Sequence, residues 1–199
     1  MEIWKKENLR VESLTGAEAK KYFEELARLR IEIFREYPYL YDGTPDYEKP
    51  YLERYFKSGH SRILLVLDGE KVRGMATYIP MSCEEDEIKA PFVKLKLDIS
   101  RYLYIGEFIL EPQCRGKKIF NVFMDYAQAL LKELSLEKLA IMTIKTSPND
   151  RLRPKNYQSV NVLYRRLGFQ KIENSEVEFT YKSSATGQTQ PHTMYFWQR

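Results

Sequence analysis

The chain has 199 residues, the length of one domain, and 43% hydrophobic with 30% charged residues excludes global disorder. Thirty-two Lys and Arg against 28 Asp and Glu leave a net charge of +4, too small a surplus to argue for nucleic acid. Two cysteines exclude a disulfide scaffold and a four-cysteine metal site, and no run reaches the roughly 18 apolar residues of a membrane span.

In chain order, Met1-Glu2-Ile3-Trp4-Lys5-Lys6 lacks the apolar stretch of a signal peptide, so the expected location is cytoplasmic and reducing. Thr15-Gly16-Ala17-Glu18 is a capping box, and Ala19, Tyr22, Phe23, Leu26, Leu29, Ile33 and Phe34 follow it at helical spacing until Pro38. A loop rich in Tyr, Pro, Asp and Gly, residues 37–47, leads to a second helix over 48–57. Residues 63–67 and 71–79 read as strands joined by Asp68-Gly69, a strong hairpin signal. The charged stretch 84–96 reads as a solvated excursion or an edge. Residues 102–110 form a further strand, where Gly106 marks a bulge or a close backbone approach. Over 117–134, Ile119, Phe123, Tyr126, Leu130 and Leu134 predict a long amphipathic helix, and 139–144 a buried strand. After a polar loop, a short helix ends at Gly168, a left-handed cap, and strands at 169–172, 177–181 and 194–197 follow. The pattern predicts an α/β layer architecture around one mixed sheet.

Familiar catalytic signatures are absent: no Walker loop, GxGxxG, GxSxG, HExxH or CxxC occurs. No metal site is therefore expected. His60 and His192 lie far apart, and neither can be set beside Cys114 to activate it as a nucleophile.

Two segments carry chemistry. Leu110-Glu111-Pro112-Gln113-Cys114-Arg115-Gly116-Lys117-Lys118-Ile119 joins a strand to the long helix. The free amides of the first helical turn, a glycine and three basic side chains make either a site for a pyrophosphate or simply a tight basic turn. The second segment is Asn161-Val162-Leu163-Tyr164-Arg165-Arg166-Leu167-Gly168-Phe169, in which Tyr164 reads either as a core aromatic or as a site residue.

In this order, one helix and one strand apart, the two segments resemble the GNAT acyltransferase superfamily. Tyr104-Ile105-Gly106-Glu107-Phe108-Ile109-Leu110 followed by Arg115-Gly116-Lys117 is similar to its acetyl-CoA motif, and Leu163-Tyr164-x-x-x-Gly168-Phe169 to its second motif. The resemblance implies a mixed, mostly antiparallel central sheet with helices on both faces. It implies one domain over 1–199, with a helical acceptor-side region at 1–60 and an acetyl-CoA core at 62–172. Where the family pattern is Gln/Arg-x-x-Gly-x-Gly/Ala, this chain has Lys118 and Phe120 in place of the two small residues. The backbone amides survive that change, and the open question is whether the Phe120 ring crowds the site or packs beneath the loop.

The implied activity is transfer of acetyl from acetyl-CoA, as cosubstrate, to a primary amine by direct attack. Its alternative is a non-catalytic acyl-CoA or partner-binding protein. Glu107 is the candidate base, or else a carboxylate paired with a nearby basic group; Tyr164 is the candidate proton donor to the thiolate. Cofactor contacts are implied for Phe108, Leu110, Arg115, Gly116, Lys117, Lys118, Ile119, Phe120 and Asn161. The acceptor would meet Tyr37, Tyr39, Tyr41, Asp42, Asp46 and Tyr47, whose acidic and aromatic groups suit a cationic amine or else pack a loop. Neither nucleic acid nor membrane is expected as a partner, and a homodimer is left open.

Overall fold

The computed structural model describes residues 1–199. Strands β1 (Glu2–Lys6), β2 (Leu9–Thr15), β3 (Arg62–Asp68), β4 (Lys71–Pro80), β5 (Tyr102–Leu110), β6 (Lys138–Ile144), β7 (Gln170–Lys171), β8 (Val177–Lys182) and β9 (Thr189–Gln198) form one sheet. Its order is β1-β2-β3-β4-β5-β6-β9-β7, with β8 also on β9. Only β5 and β6 run parallel. The mixed, mostly antiparallel sheet expected from the resemblance is therefore present, and the Asp68-Gly69 turn joins β3 to β4 as its chemistry dictates.

Helices cover both faces. On one lie α1 (Gly16–Ala19), α2 (Phe23–Phe34), α3 (Pro45–Lys57) and α4 (Asp86–Lys94), packing Leu26, Leu29, Leu52, Tyr55, Ile88 and Phe92 into one apolar layer. The Thr15 capping box closes at the start of α1, its hydroxyl accepting from the Glu18 amide while the Glu18 carboxylate accepts from the Thr15 amide. On the other face lie α5 (Ile119–Glu133) and α6 (Val160–Arg166). Helix α5 buries Ile119, Phe123, Met124, Ala127, Leu130 and Leu131, a stripe at helical spacing worth about 1.5–3 kcal/mol for each large side chain. Gly168 ends α6 in the left-handed region (φ 83°), and the Phe169 amide donates back to the Tyr164 carbonyl at 2.9 Å.

Two expectations fail. Residues 1–60 are not helical throughout, because β1 and β2 form a hairpin at the sheet edge. Its alternation is masked by charge: β2 buries Leu9, Val11 and Leu14, while β1 exposes Lys5 and Lys6, as edge strands do to discourage further pairing. The stretch 84–96 is neither a solvated excursion nor an edge. It forms α4, whose Ile88 and Phe92 are buried, and Glu84 is buried beside Arg54.

The bulge expected at Gly106 positions the site. Thr77 of β4 pairs with Glu107 and Tyr78 with Ile105, so Gly106 is the extra residue. Before it, Tyr102 and Tyr104 face the α1–α4 layer and Leu103 and Ile105 the α5 layer. After it, Ile109 faces the first layer while Phe108 and Leu110 border the second. One inserted residue thus reverses which face each later side chain takes. A Cβ on Gly106 would lie 2.0 Å from Tyr55 Oη and 2.6 Å from Thr77 Oγ1, which is why glycine stands there.

Candidate active site

Strands β5 and β6 pair only from Tyr102–Lys138 to Ile105–Ile141. Beyond the bulge β5 stays with β4 and β6 with β9, and the two part. The wedge between them opens a cleft of about 860 Å³, lined by Phe108, Ile141, Thr143, Tyr157, Asn161 and Tyr164 among others. The Glu111 amide donates to Arg73 of β4 at 2.9 Å, and antiparallel pairing then alternates. By that alternation the backbone groups of Phe108 and Leu110 turn away from β4, toward the cleft. The Leu110 carbonyl, so turned, accepts from Arg115 Nε at 3.1 Å.

A loop between β5 and α5 stands at this edge. Gly116 (φ 76°) and Lys118 (φ 66°) both take the left-handed conformation. The amides of Gly116, Lys117, Lys118, Ile119 and Phe120 donate to no group of the protein. Successive unpaired amides leading into a helix N-terminus make a concave anion site, and the exposed Lys117 and Lys118 and half-exposed Arg115 surround it with positive charge. Arg115 also lies 3.9 Å from Glu36. Ile119 is buried and anchors the loop. The Phe120 ring meets Phe108 edge-on, centroids 4.8 Å apart, and packs against the α5 layer instead of lining the cleft.

Lys118 occupies a backbone conformation that side chains disfavour by about 1 kcal/mol. Lys118→Gly should therefore raise stability by about that amount, or roughly 2–4 °C in Tm, measured by thermal unfolding. An unchanged or lowered Tm would mean that the Lys118 backbone is not held in this state.

Glu111 ties the loop to the sheet. It is buried, and it accepts from Arg28 Nη1 and Arg73 Nη1, both at 2.9 Å. Burial pushes its carboxyl up, but the bonds to Arg28 and Arg73 outweigh that and hold it below the usual 4.5. A depressed carboxylate contributes stability above its unfolded pKa and loses it as pH falls through the folded value. Glu111→Gln should thus cost about 2 kcal/mol at neutral pH, the scale of charged hydrogen bonds, with the gap closing below about pH 4 in denaturant titrations. A gap independent of pH would show that the charge is irrelevant.

On the other side of the fork lies a second cavity of about 540 Å³, walled by α2, α3, the start of α4, and β8 and β9. Phe34, Tyr39, Gly106, Glu107 and Met142 line both cavities, so the two spaces meet at the bulge. The Glu107 side chain is 2% exposed, ion-paired through Oε2 with Arg30, and accepts from Tyr51 Oη at 3.1 Å. Its Oε1 has no partner. Arg30 also pairs with buried Glu48, which accepts from Tyr41 Oη at 2.6 Å, and stacks 3.5 Å from the Tyr51 ring centroid. Arg54 lies on Tyr51 at 4.2 Å and pairs with Glu84 and Glu85, each at 3.1 Å.

Tyr164 is buried against Phe169 and Trp197, lines the cleft, and its hydroxyl makes no hydrogen bond in the protein. Burial pushes its pKa well up, so it stays a proton donor. Asn161 lines the cleft too, but its amide already donates to Tyr195 Oη at 2.7 Å. The tyrosine cluster divides: Tyr41, Asp46 and Tyr47 line the second cavity, Tyr37 the cleft and Tyr39 both, and Asp42 is taken up by Lys182 at 2.7 Å and Arg35 at 3.2 Å. Cys114 is buried in the α5 layer, its thiol pushed up by burial, His60 is exposed, and His192 stacks on Tyr181. No group of three His, Cys, Asp or Glu is arranged to hold a metal ion, and no helix is long and apolar enough to cross a membrane.

Sequence reasoning missed Arg30, Glu48, Tyr51 and Arg54. A signal existed: Glu48, Leu52, Tyr55 and Phe56 fall on one stripe of α3, and a carboxylate on a buried stripe requires a partner.

No family model matches the sequence, and no curated protein matches it. Solved structures do. An acetyltransferase from Streptococcus agalactiae superposes with a TM-score of 0.60 at 12% identity, over 97% of this chain and 98% of that one. A ribosomal-protein-alanine N-acetyltransferase from Brucella melitensis gives 0.58 at 13%, over 95% and 98%. An acetyltransferase of the GNAT family from Streptococcus pneumoniae gives 0.56 at 11%, over 96% and 98%. With the parted β5 and β6, the bulge at the fork and the amide-lined loop, the chain has the GNAT fold.

Proposed function

We propose that this protein is an N-acyltransferase that passes an acetyl group from acetyl-CoA directly to a primary amine. The observation that carries the reading is the meeting of two cavities at Gly106 and Glu107. One opens beside a cluster of unpaired amides and basic side chains, and the other is acidic and aromatic. Residues 115–120 would hold the pyrophosphate, and the backbone of Phe108 and Leu110 would pair with the amide groups of the pantetheine. An amine of pKa near 10.4 must shed a proton before it attacks. Glu107 Oε1, directly or through a water, would take that proton; the freed lone pair then bonds to the thioester carbon, and the second proton of the nitrogen leaves to solvent as the tetrahedral intermediate collapses. As the carbon–sulfur bond breaks, Tyr164 would stabilise or protonate the departing sulfur.

Acetyl-CoA should raise the Tm, because a ligand that binds only the folded state stabilises it. Free thiol should appear from acetyl-CoA only when an amine is present. Tyr164→Phe should then lower kcat by about tenfold or more, with acetyl-CoA affinity and Tm almost unchanged. No Tm shift at millimolar acetyl-CoA would overturn the reading. Binding without thiol release across a panel of amines would favour a non-catalytic acyl-CoA-binding protein.

A further inference from the structure

We propose that Tyr51 is a positioning residue for Glu107: with Arg30 it holds Oε2, leaving Oε1 as the one oxygen free to take a proton where the cavities meet. The inference rests on the acyl-transfer reading above and adds to that site a residue that acts through Glu107.

A carboxylate has two equivalent oxygens, so a base that works through one of them needs the other held. Glu107 Oε2 is held twice, by the Arg30 guanidinium and by the Tyr51 hydroxyl at 3.1 Å. Arg30 alone would not fix the group. It gives Nε to Glu48 and Nη1 to Glu107, and a guanidinium readily engages both oxygens of a carboxylate through its two terminal nitrogens. In that arrangement Oε1 would be taken as well, and no free oxygen would face the junction. The Tyr51 hydroxyl, bonded to Oε2, opposes that turn and keeps the Arg30 contact one-sided.

The direction of the Tyr51 bond is set by its neighbour. The Tyr55 hydroxyl, 3.4 Å from that of Tyr51, donates to buried Glu84 Oε1 at 3.2 Å, so the Tyr51 proton is left for Glu107. The ring is fixed too. Arg30 lies 3.5 Å and Arg54 4.2 Å from its centroid, and Arg54 is anchored by Glu84 and Glu85. A Cβ on Gly106 would lie 3.0 Å from Tyr51 Oη, so the hydroxyl stands directly beside the bulge that delivers Glu107. One side chain thus orients both donors to the same carboxylate oxygen, Arg30 through its ring and itself through its hydroxyl.

Tyr51→Phe keeps the ring against Arg30 and Arg54, and with it the fold, and removes the hydroxyl alone. With acetyl-CoA and the fastest amine of the panel, kcat should fall about tenfold, with both KM values within about twofold of wild type. Adding Tyr51→Phe to Glu107→Gln should cost nothing further, because the amide has no basic oxygen left to aim. Tyr55→Phe removes a neighbouring hydroxyl that does not reach Glu107, and should leave kcat within about twofold. A wild-type kcat in Tyr51→Phe overturns the proposal while acyl transfer stands. Equal losses in the wild-type and Glu107→Gln backgrounds also overturn it, by showing that Tyr51 does not act through Glu107. A matching loss in Tyr55→Phe overturns it too, because the effect then belongs to the buried cluster as a whole. If the wild-type protein releases no thiol with any amine, acyl transfer itself fails, and the role of Tyr51 falls with it.

Discussion

Glu107→Gln should lower kcat/KM for a primary amine by about 10²-fold or more, the scale expected for a positioned general base. Gln keeps the size of the side chain and an oxygen for Arg30 and Tyr51, but it cannot take a proton at the position of Oε1. That atom is the one carboxylate oxygen at the junction of the cavities that nothing in the protein engages. The loss should be greatest at low pH, where nearly all of the amine is protonated, and should shrink as pH approaches the amine pKa. Acetyl-CoA should stabilise the variant as it does the wild type, because the loop at residues 115–120 is untouched. An unchanged rate at saturating amine across the pH range would place the base elsewhere.

The largest stability effect is expected at Arg30. It lies between Glu48 and Glu107, its side chain 13% exposed, and stacks on Tyr51, so Arg30→Met would leave two buried carboxylates without their cation. Removing one member of a buried ionic cluster costs about 3–5 kcal/mol, or a fall in Tm of roughly 10 °C at this chain length. Adding Glu107→Gln to Arg30→Met should recover part of the loss, because one uncompensated charge disappears with it. Denaturant unfolding of the two single variants and the double variant measures the coupling. A loss below about 1 kcal/mol for Arg30→Met would show that water in the cavity solvates both carboxylates.

The strands from Arg62 onward were legible because their apolar runs are dense and bounded by turn chemistry: Asp68-Gly69, Gly106 and Gly168 each act as their backbone freedom predicts. Lys118 was legible only as a departure from a family pattern. The reason small residues suit the position is its left-handed backbone, a property of the folded loop and not of the local sequence. The N-terminal hairpin was hidden because alternate positions in β1 and β2 are charged and the apolar ones are few. The buried ionic cluster was hidden for a different reason. Arg30, Glu48, Arg54 and Glu84 lie on three separate segments, and charged residues in a helix pattern look solvated until tertiary packing sets them face to face. Glu107 read equally as a base or as a paired carboxylate, and it is paired through one oxygen and free at the other.

The bulge at Gly106 makes the location of the reactive carboxylate a matter of parity. In most strand ends a one-residue deletion shortens a loop and is absorbed there. Here deletion of Gly106 itself would remove the bulge and leave Glu107 on its own layer, whereas drawing Gly106 into the regular ladder would carry Glu107 to the opposite layer, among the apolar side chains beneath α5 such as Ile119 and Phe123. The same flattening of the bulge would turn Phe108 and Leu110 toward the charged helices. Any graft or shuffled segment ending within β5 must therefore keep the bulge, and the residue count on each side of it, before side-chain identity matters. The arithmetic also applies to comparison of distant sequences. A gap of one placed on either side of Gly106 pairs layer-facing residues with their opposites, so remote relatives of this strand should be aligned outward from the glycine.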